Sequence, residues 1–186
     1  MAMINYVDRF TMSFAIGPIS QEFGLSTVAK GYLFSSFLWT YTLFLIPVGL
    51  LVDKFGSKRV AAWGLGIWSV ATAVTGVASG FTSILLCRLV MGGGESTTSP
   101  AGAGVIREWM PASERGMANA AFNTGAYAEP AVGALLAGSI VQIYGWRVLF
   151  YVAGVAGLIW VLAWALFYDR PRKARWLGED EPLPWC

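Results

Sequence analysis

The chain has 186 residues, of which 56% are hydrophobic and only 13% are charged, and its net charge is +2. Soluble domains carry about 25% charged residues, so this composition indicates a membrane protein. The basic residues are too few and too scattered for a nucleic-acid-binding surface. There is no His, which excludes a His-based triad, a His–metal site and a His pH switch, and the two Cys residues form no disulfide framework. We predict no metal site and no cofactor.

Six hydrophobic segments long enough to cross a bilayer follow one another along the chain. A spanning helix needs about 20 residues, and the breaks between segments are short and rich in turn-forming residues. We predict an all-α integral membrane bundle over residues 1–170. Residues 171–186 are predicted as a cytoplasmic tail, either the start of a linker between two halves or an aberrant end. The predicted helices cover about residues 1–21, 30–52, 60–79, 82–106, 116–144 and 146–168.

Basic residues are distributed unequally between the predicted loops. Two of them, Lys30 and Arg147, lie on one side, and Arg9 and Arg88 fall inside segments. We predict a protein of the cell inner membrane. By the positive-inside rule, the loops after the even-numbered segments and both termini face the cytoplasm. Nine basic residues define that side: Lys54, Lys58, Arg59, Arg107, Arg115, Arg170, Arg172, Lys173 and Arg175.

Five ionisable residues fall inside the apolar segments: Asp8, Arg9, Arg88, Glu95 and Glu129. A charge at mid-helix costs about 2.5–3.5 kcal/mol on the insertion scale if it faces lipid. One interpretation is that some of them reach the interface or form structural ion pairs between helices. Five such groups in six helices are more than architecture requires, so a polar cavity between the helices is the better explanation.

In the fourth segment Arg88, Gly92, Glu95 and Ser99 recur at i, i+4, i+7 and i+11, which places them on one helical stripe. The stripe holds a cation, a carboxylate two turns away and a hydroxyl beyond it. The glycines leave it uncluttered, so that a substrate or a partner helix can approach the backbone.

The first two segments supply hydroxyl groups beside a guanidinium group. Tyr6 and Arg9 share a face of the first segment, with Asn5 and Asp8 adjoining it, and Tyr41 lies among Ser and Thr residues of the second. Arg binds carboxylates through two parallel hydrogen bonds. This combination indicates an anionic, hydroxyl-rich ligand.

The stretch GLLVDKFGSKR, residues 49–59, resembles the loop between the second and third helices of the major facilitator superfamily. The alternative is a solvated basic turn that serves only topology. Within that superfamily NYVDR, RLVMGGGES, WMPASERGMA, FNTG and GWR resemble the anion:cation symporters, carriers of hexuronates, galactonate, glucarate, tartrate and phthalate. The resemblance covers about residues 4–170. Its loop residues are Gly49, Asp53, Lys54, Gly56, Lys58 and Arg59.

The resemblance implies the six-helix N-terminal half of a twelve-helix transporter, not an enzyme. Its partners would be the bilayer, protons, a small organic anion such as a sugar acid, and a C-terminal six-helix half absent from this chain. The expected activity is import of the anion by proton symport with alternating access. Alternatives are an exchanger without proton coupling and a transport-inert, structural or regulatory half-transporter.

The resemblance also implies roles for single residues. Asp8 and Glu95 would take up and release protons, and Arg88 would pair alternately with carboxylates. Arg9 would bind a substrate carboxylate, flanked by Tyr6 and Tyr41. Asp53, Arg59 and Arg115 would form a charge cluster that holds one conformation closed.

Two features depart from the family pattern. Only four residues precede NYVDR, fewer than in the family's first helix. Glu129 occupies a position where the family pattern predicts a small residue, and it is either an added polar ligand or a sign of divergence.

Overall fold

The computed structural model of the chain describes the backbone of residues 2–168 and the side chains of residues 11–124 and 135–168. Every regular element in the described residues is an α-helix, so the all-α prediction is confirmed there. The predicted tail, residues 171–186, lies outside the described residues. The seven helices are α1 (Ala2–Phe23), α2 (Thr27–Phe55), α3 (Ser57–Thr75), α4 (Phe81–Glu95), α5 (Thr98–Trp109), α6 (Arg115–Tyr144) and α7 (Trp146–Phe167).

Two of the joints between helices consist of a single glycine. Gly56 separates α2 from α3 with a φ of 85°, and Gly145 separates α6 from α7 with a φ of 84°. The N–H of Gly56 donates to the Val52 carbonyl at 2.8 Å and so completes the last turn of α2. Residues with a side chain are strained at such φ values, which explains why glycine occupies both joints.

The predicted fourth segment is a discontinuous helix, because α4 ends at Glu95 and α5 begins at Thr98. Pro100 has no N–H to donate to the Ser96 carbonyl, and its ring crowds that carbonyl, so it favours a break at Ser96. The N–H of Thr97 donates instead to the Gly94 carbonyl, three residues back, at 3.3 Å. The break therefore lies directly beside Glu95.

Small residues bring the helix backbones close together. A Cβ added to Gly154 of α7 would lie 2.7 Å from the Ala73 nitrogen and 2.8 Å from the Ser69 carbonyl oxygen of α3. On α4, a Cβ at Gly94 would lie 2.8 Å from the Gly64 carbonyl oxygen of α3. Lipid tails are as apolar as the side chains, so close backbone packing is a main source of helix association in membranes.

Charge and ring contacts join the end of α1 to the start of α7. The Arg147 guanidinium donates to both oxygens of the Glu22 carboxylate, at 2.7 and 2.9 Å. Trp146 Nε1 donates to the same carboxylate at 2.8 Å, and the Arg147 guanidinium carbon lies 4.3 Å from the Trp146 ring centroid. Bidentate pairs of this kind are both strong and specific in geometry. This contact fixes the position of α1 relative to α7 at one end of the bundle.

Large apolar side chains are exposed along the helices, for example Leu43, Ile46 and Leu162. Among the described residues α2 and α7 have the length and hydropathy to cross a bilayer. At 15 residues, α4 is shorter than a bilayer span and reaches that length only together with α5. Exposed apolar surface of this extent requires cover by lipid or by other transmembrane helices.

Candidate functional site

Arg88 and Glu95 of α4 are both buried inside the bundle, with 4% and 0% of their surfaces exposed. Seven residues at 1.5 Å each separate them by about 10 Å along the helix. Beyond the first turn of α4, its exposed side chains are Leu86 and Val90, which are apolar. The two charged groups thus face the protein interior and the apolar face is turned outward, as expected where a charge facing lipid costs several kcal/mol.

Hydroxyl groups line the break between α4 and α5. Ser96 Oγ donates to the Gly93 carbonyl at 2.7 Å, and Thr97 Oγ1 donates to the Gly94 carbonyl at 2.8 Å. The first bond gives a partner to a carbonyl at the helix end, and the second adds to the bond that the Gly94 carbonyl accepts from the Thr97 N–H. Broken helices inside a membrane are tolerated where they line a cavity, and they form the ion and substrate sites of many transporters.

Tyr41 of α2 reaches the far side of this break. Its hydroxyl lies 3.3 Å from Ser99 Oγ, four residues beyond Glu95. The Tyr41 ring stacks on Phe37 with 5.9 Å between centroids. The predicted stripe from Arg88 to Ser99 is therefore interrupted by the helix break, and Tyr41 meets its last member.

The α2 helix packs directly against the backbone of α4 at Gly92. A Cβ at Gly92 would collide with the Phe37 carbonyl and with Thr40 Oγ1, both on α2. Of the two explanations that the sequence leaves open for this glycine, the structure shows close approach of a helix.

Five residues singled out from the sequence lie outside the described side chains. Asn5, Tyr6, Asp8 and Arg9 belong to the helical backbone of α1, and Glu129 belongs to that of α6. Their predicted roles stay predictions.

The motif residues Asp53 and Ser57 lie at one end of the bundle, where an ion pair and a hydrogen bond join them to α5. Arg107 Nη2 lies 3.2 Å from Asp53 Oδ1, and both side chains are more than half exposed. Exposed pairs of this kind contribute at most about 1 kcal/mol. We call this end, which also carries Lys54, Lys58, Arg59 and Arg115, the basic end.

Glu108, the neighbour of Arg107, connects three helices at the basic end. Its Oε1 accepts from Ser57 Oγ of α3, and its Oε2 accepts from the Tyr168 hydroxyl after α7, each at 3.1 Å. Trp109 Nε1 donates to the same Tyr168 hydroxyl at 3.3 Å. Three consecutive residues of α5, from Arg107 to Trp109, therefore contact the end of α2, the start of α3 and the end of α7.

The charge cluster expected from the resemblance differs in its members. Asp53 pairs with Arg107, whereas Arg115 donates to the backbone carbonyls of Met110 and Arg107, each at 3.2 Å. Arg59 is exposed on the first turn of α3. Arg115 thus closes the end of α5, because cationic side chains near a helix C-terminus satisfy its last carbonyls.

Three residues of this network were not predicted as site residues from the sequence: Arg107, Glu108 and Tyr168. Arg107 entered only as a count toward the positive-inside rule, and no helical or loop pattern joins residue 108 to residue 168. The usable signal was the adjacent pair of opposite charges, Arg107 and Glu108, at the end of an apolar segment.

A discontinuous helix with opposite charges buried near it, inside a bundle with an apolar outer surface, is typical of polytopic membrane transporters. A family model described as "Major Facilitator Superfamily" matches residues 1–185. The chain belongs to this superfamily of multi-pass membrane transporters. The predicted fold class is confirmed, and so is the prediction that the chain is not an enzyme.

Several similar proteins are named as carriers of sugar acids. "Probable galactarate/D-glucarate transporter GarP" of Escherichia coli (strain K12) is 37% identical over 184 residues, covering 96% of this chain and 41% of that protein. "Probable galactarate/D-glucarate transporter GudP" of Bacillus subtilis (strain 168) is 35% identical, covering 96% and 40%. "D-galactonate transporter" of Escherichia coli O6:H1 is 34% identical, covering 96% and 42%. The chain spans about two fifths of the length of these relatives.

The crystal structure of a bacterial homolog to the human lysosomal transporter Spinster, in an inward-facing and occupied conformation, has the same fold. Its TM-score against this chain is 0.83 at 23% sequence identity, covering 91% of this chain and 42% of that one. The unoccupied conformation of that protein has a TM-score of 0.84.

Proposed function

We propose that the carrier containing this chain imports a sugar acid of the galactarate, glucarate or galactonate type together with protons, by alternating access. The observation that carries the proposal is the burial of Arg88 and Glu95 in a chain whose relatives are named as sugar-acid transporters. Burying a titratable carboxylate and a guanidinium inside a membrane protein costs free energy, so their presence there indicates a function.

In this proposal Glu95 and Asp8 bind the transported protons. Protonation of Glu95 removes a negative charge from the interior, so that Arg88, two turns away, is available to interact with an arriving anion. Release of the substrate leaves Arg88 to attract the carboxylate again, which favours loss of the proton. A discontinuous helix beside Glu95 supplies a segment that can move during this cycle.

The substrate would bind across α1 and α2. Arg9 is proposed to hold a carboxylate through two hydrogen bonds, with Asn5 and Tyr6 beside it and Tyr41 contacting hydroxyl groups of the sugar acid. The position of Tyr41 next to Ser99 supports this assignment, because a pair of neighbouring hydroxyls can both donate to and accept from a polyhydroxylated ligand. The remaining wall of the site would come from the second half of the carrier.

The basic end is proposed to be the cytoplasmic gate. Gly49, Gly56, Lys54 and Lys58 form the loop motif, and the pair between Asp53 and Arg107 joins α2 to α5. Contacts of this kind can stabilise one closed conformation. They can also break during the transport cycle, since each exposed pair contributes little free energy by itself.

The proposed orientation, in a cell inner membrane with the basic end in the cytoplasm, predicts the accessibility of engineered thiols. Ser113 and Ser79 are both exposed, the first at the basic end and the second at the opposite end. With Cys87 and Cys186 replaced by Ala, Ser79→Cys should react with a membrane-impermeant maleimide on intact cells. Ser113→Cys should react only after the membrane is permeabilised. The reverse pattern would contradict the orientation. Ser57 is unsuitable for this test because it is buried.

Counterflow in proteoliposomes tests the proposed substrate. Vesicles with the complete carrier, loaded with unlabelled D-glucarate, should accumulate labelled D-glucarate transiently, whereas vesicles loaded with D-glucose should not.

Arg9→Lys should weaken D-glucarate binding roughly tenfold or more, because one charge-assisted hydrogen bond contributes about 1.5–3 kcal/mol. Unchanged affinity in Arg9→Lys would remove Arg9 from the binding site, and absence of counterflow with every sugar acid would contradict the substrate class.

A further inference from the structure

An apolar groove runs along the outer face of the bundle, between α2, α3 and α4. It consists of two adjacent hollows of about 460 and 540 Å³, which meet at Ile67 and Val90. The rim side chains Trp63, Ile67 and Leu86 are each more than half exposed. The hydroxyl of Thr97, which also borders the groove, already donates to the Gly94 carbonyl. The groove thus offers almost no polar group to a ligand along its length.

The dimensions of the groove suit a lipid chain. Its lining on α3 extends from residue 60 to residue 74, which is about 20 Å at 1.5 Å per residue. One leaflet of hydrocarbon is about 15 Å thick, half of the bilayer core. An acyl chain that enters at one end can therefore follow the groove through its whole leaflet.

Two glycines widen the groove and do not bring helices together. A Cβ at Gly93 would meet only the Phe44 ring, at 3.8 Å, and a Cβ at Gly66 would meet nothing within 4 Å. The flanking Gly92 and Gly94 have the opposite environment, since each is in close contact with a neighbouring helix. Gly93 therefore leaves open space at the floor of the groove.

Cationic groups stand at the mouth of the groove at the basic end. Trp63, which lines the groove, packs edge-on against Phe55 with 5.7 Å between centroids, and Lys54 Nζ lies 5.4 Å from the Phe55 ring. Arg59 is exposed and lies four residues before Trp63, on the same face of α3. The nearby Asp53 carboxylate is engaged by Arg107. Aromatic and basic side chains at this depth are typical of the membrane–water interface.

We propose that this groove is a binding site for one anionic phospholipid. Its phosphate contacts Lys54 and Arg59, and one acyl chain lies over Gly93 along α3. The charge at the mouth favours an anionic lipid over an apolar helix, which has no group that complements two cations. The site is separate from Arg88 and Glu95, which face the interior, and it does not depend on which anion is transported.

Native mass spectrometry of the delipidated protein, titrated with phosphatidylglycerol or phosphatidylcholine, tests the proposal. We expect one molecule of phosphatidylglycerol to bind at least tenfold more tightly than phosphatidylcholine. Gly93→Leu, which fills the floor, and the double substitution Lys54→Gln with Arg59→Gln should each abolish that preference. Gly31→Leu and Lys30→Gln are matched controls away from the groove and should retain it; Gly31 has nothing within 4 Å of its Cβ position.

Each alternative occupant has its own signature in the same experiment. Equal binding of the two lipids, unaffected by the groove variants, would show ordinary surrounding lipid and overturn the proposal. A change in the number of protein copies without a change in bound lipid would identify the groove as a protein interface and also overturn it. The charge variants keep the test decisive if Gly93→Leu does not fold, because Lys54 and Arg59 are exposed.

Discussion

Replacement of Glu95 by Gln in the complete carrier should abolish uphill accumulation of the sugar acid while exchange across the membrane continues. Gln has the shape of a protonated carboxyl group but cannot release a proton. The buried position therefore stays neutral throughout the cycle, and Arg88 remains available to the substrate. Substrate binding and the conformational change are preserved, whereas the proton gradient can no longer drive accumulation of the substrate.

Two assays on the same proteoliposomes separate these effects. Counterflow of D-glucarate should be retained in Glu95→Gln, and accumulation driven by an imposed pH gradient should fall to the level of vesicles without protein. Glu114→Gln is the matched control, since Glu114 is an exposed residue at the start of α6. This variant should accumulate substrate normally. If Glu95→Gln accumulates the sugar acid as well as the parent, the proton does not pass through Glu95 and Asp8 must couple transport alone.

Neighbouring glycines on α4 should respond in opposite directions to the same substitution. Gly92→Ala should lower the free energy of unfolding by about 1–3 kcal/mol, because the added methyl group collides with the Phe37 carbonyl on the α2 backbone. Gly93→Ala should raise it by about 0.4–1 kcal/mol, because its methyl group meets only the edge of Phe44 at 3.8 Å and Ala restricts the unfolded chain more than Gly.

Thermal unfolding of the purified proteins in one detergent checks this pair. The apparent Tm of Gly92→Ala should fall and that of Gly93→Ala should rise. A larger side chain increases the contrast, so Gly92→Leu should fail to accumulate as folded protein. Equal losses at both positions would mean that α4 packs differently against α2.

Burial of Arg88 and Glu95 was predictable because two charges within an apolar run must face the protein interior. The rule is energetic and needs no knowledge of neighbouring helices. The basic end was predictable for a similar reason, since its residues follow alternate segments and helices that cross a membrane alternate in direction. Lys54, Arg59, Arg107 and Arg115 do lie at one end of the bundle.

The partners of these residues were not predictable from spacing. Asp53 pairs with Arg107, 54 residues away, and Ser57 bonds to Glu108, 51 residues away, and both choices depend on how α5 is rotated against α2 and α3. The helix break beside Glu95 has one signal in the sequence, Pro100, which favours a break but does not force one, since α2 continues through Pro47. The apolar character of residues 82–106 concealed the break, because hydropathy measures the polarity of side chains and not the hydrogen bonding of the backbone.

The central claim, that the carrier couples protons to a sugar acid through Glu95, is tested most directly by measuring proton movement. Proteoliposomes with a pH-sensitive dye inside receive D-glucarate outside, with potassium and valinomycin present to prevent a membrane potential and with no initial pH difference. We predict that the lumen acidifies at a rate proportional to D-glucarate uptake. Glu95→Gln should take up labelled D-glucarate only when the vesicles are preloaded with unlabelled D-glucarate, and then without acidification. Entry of labelled D-glucarate into vesicles of the parent protein with no change in internal pH would contradict the claim and identify the carrier as one without proton coupling.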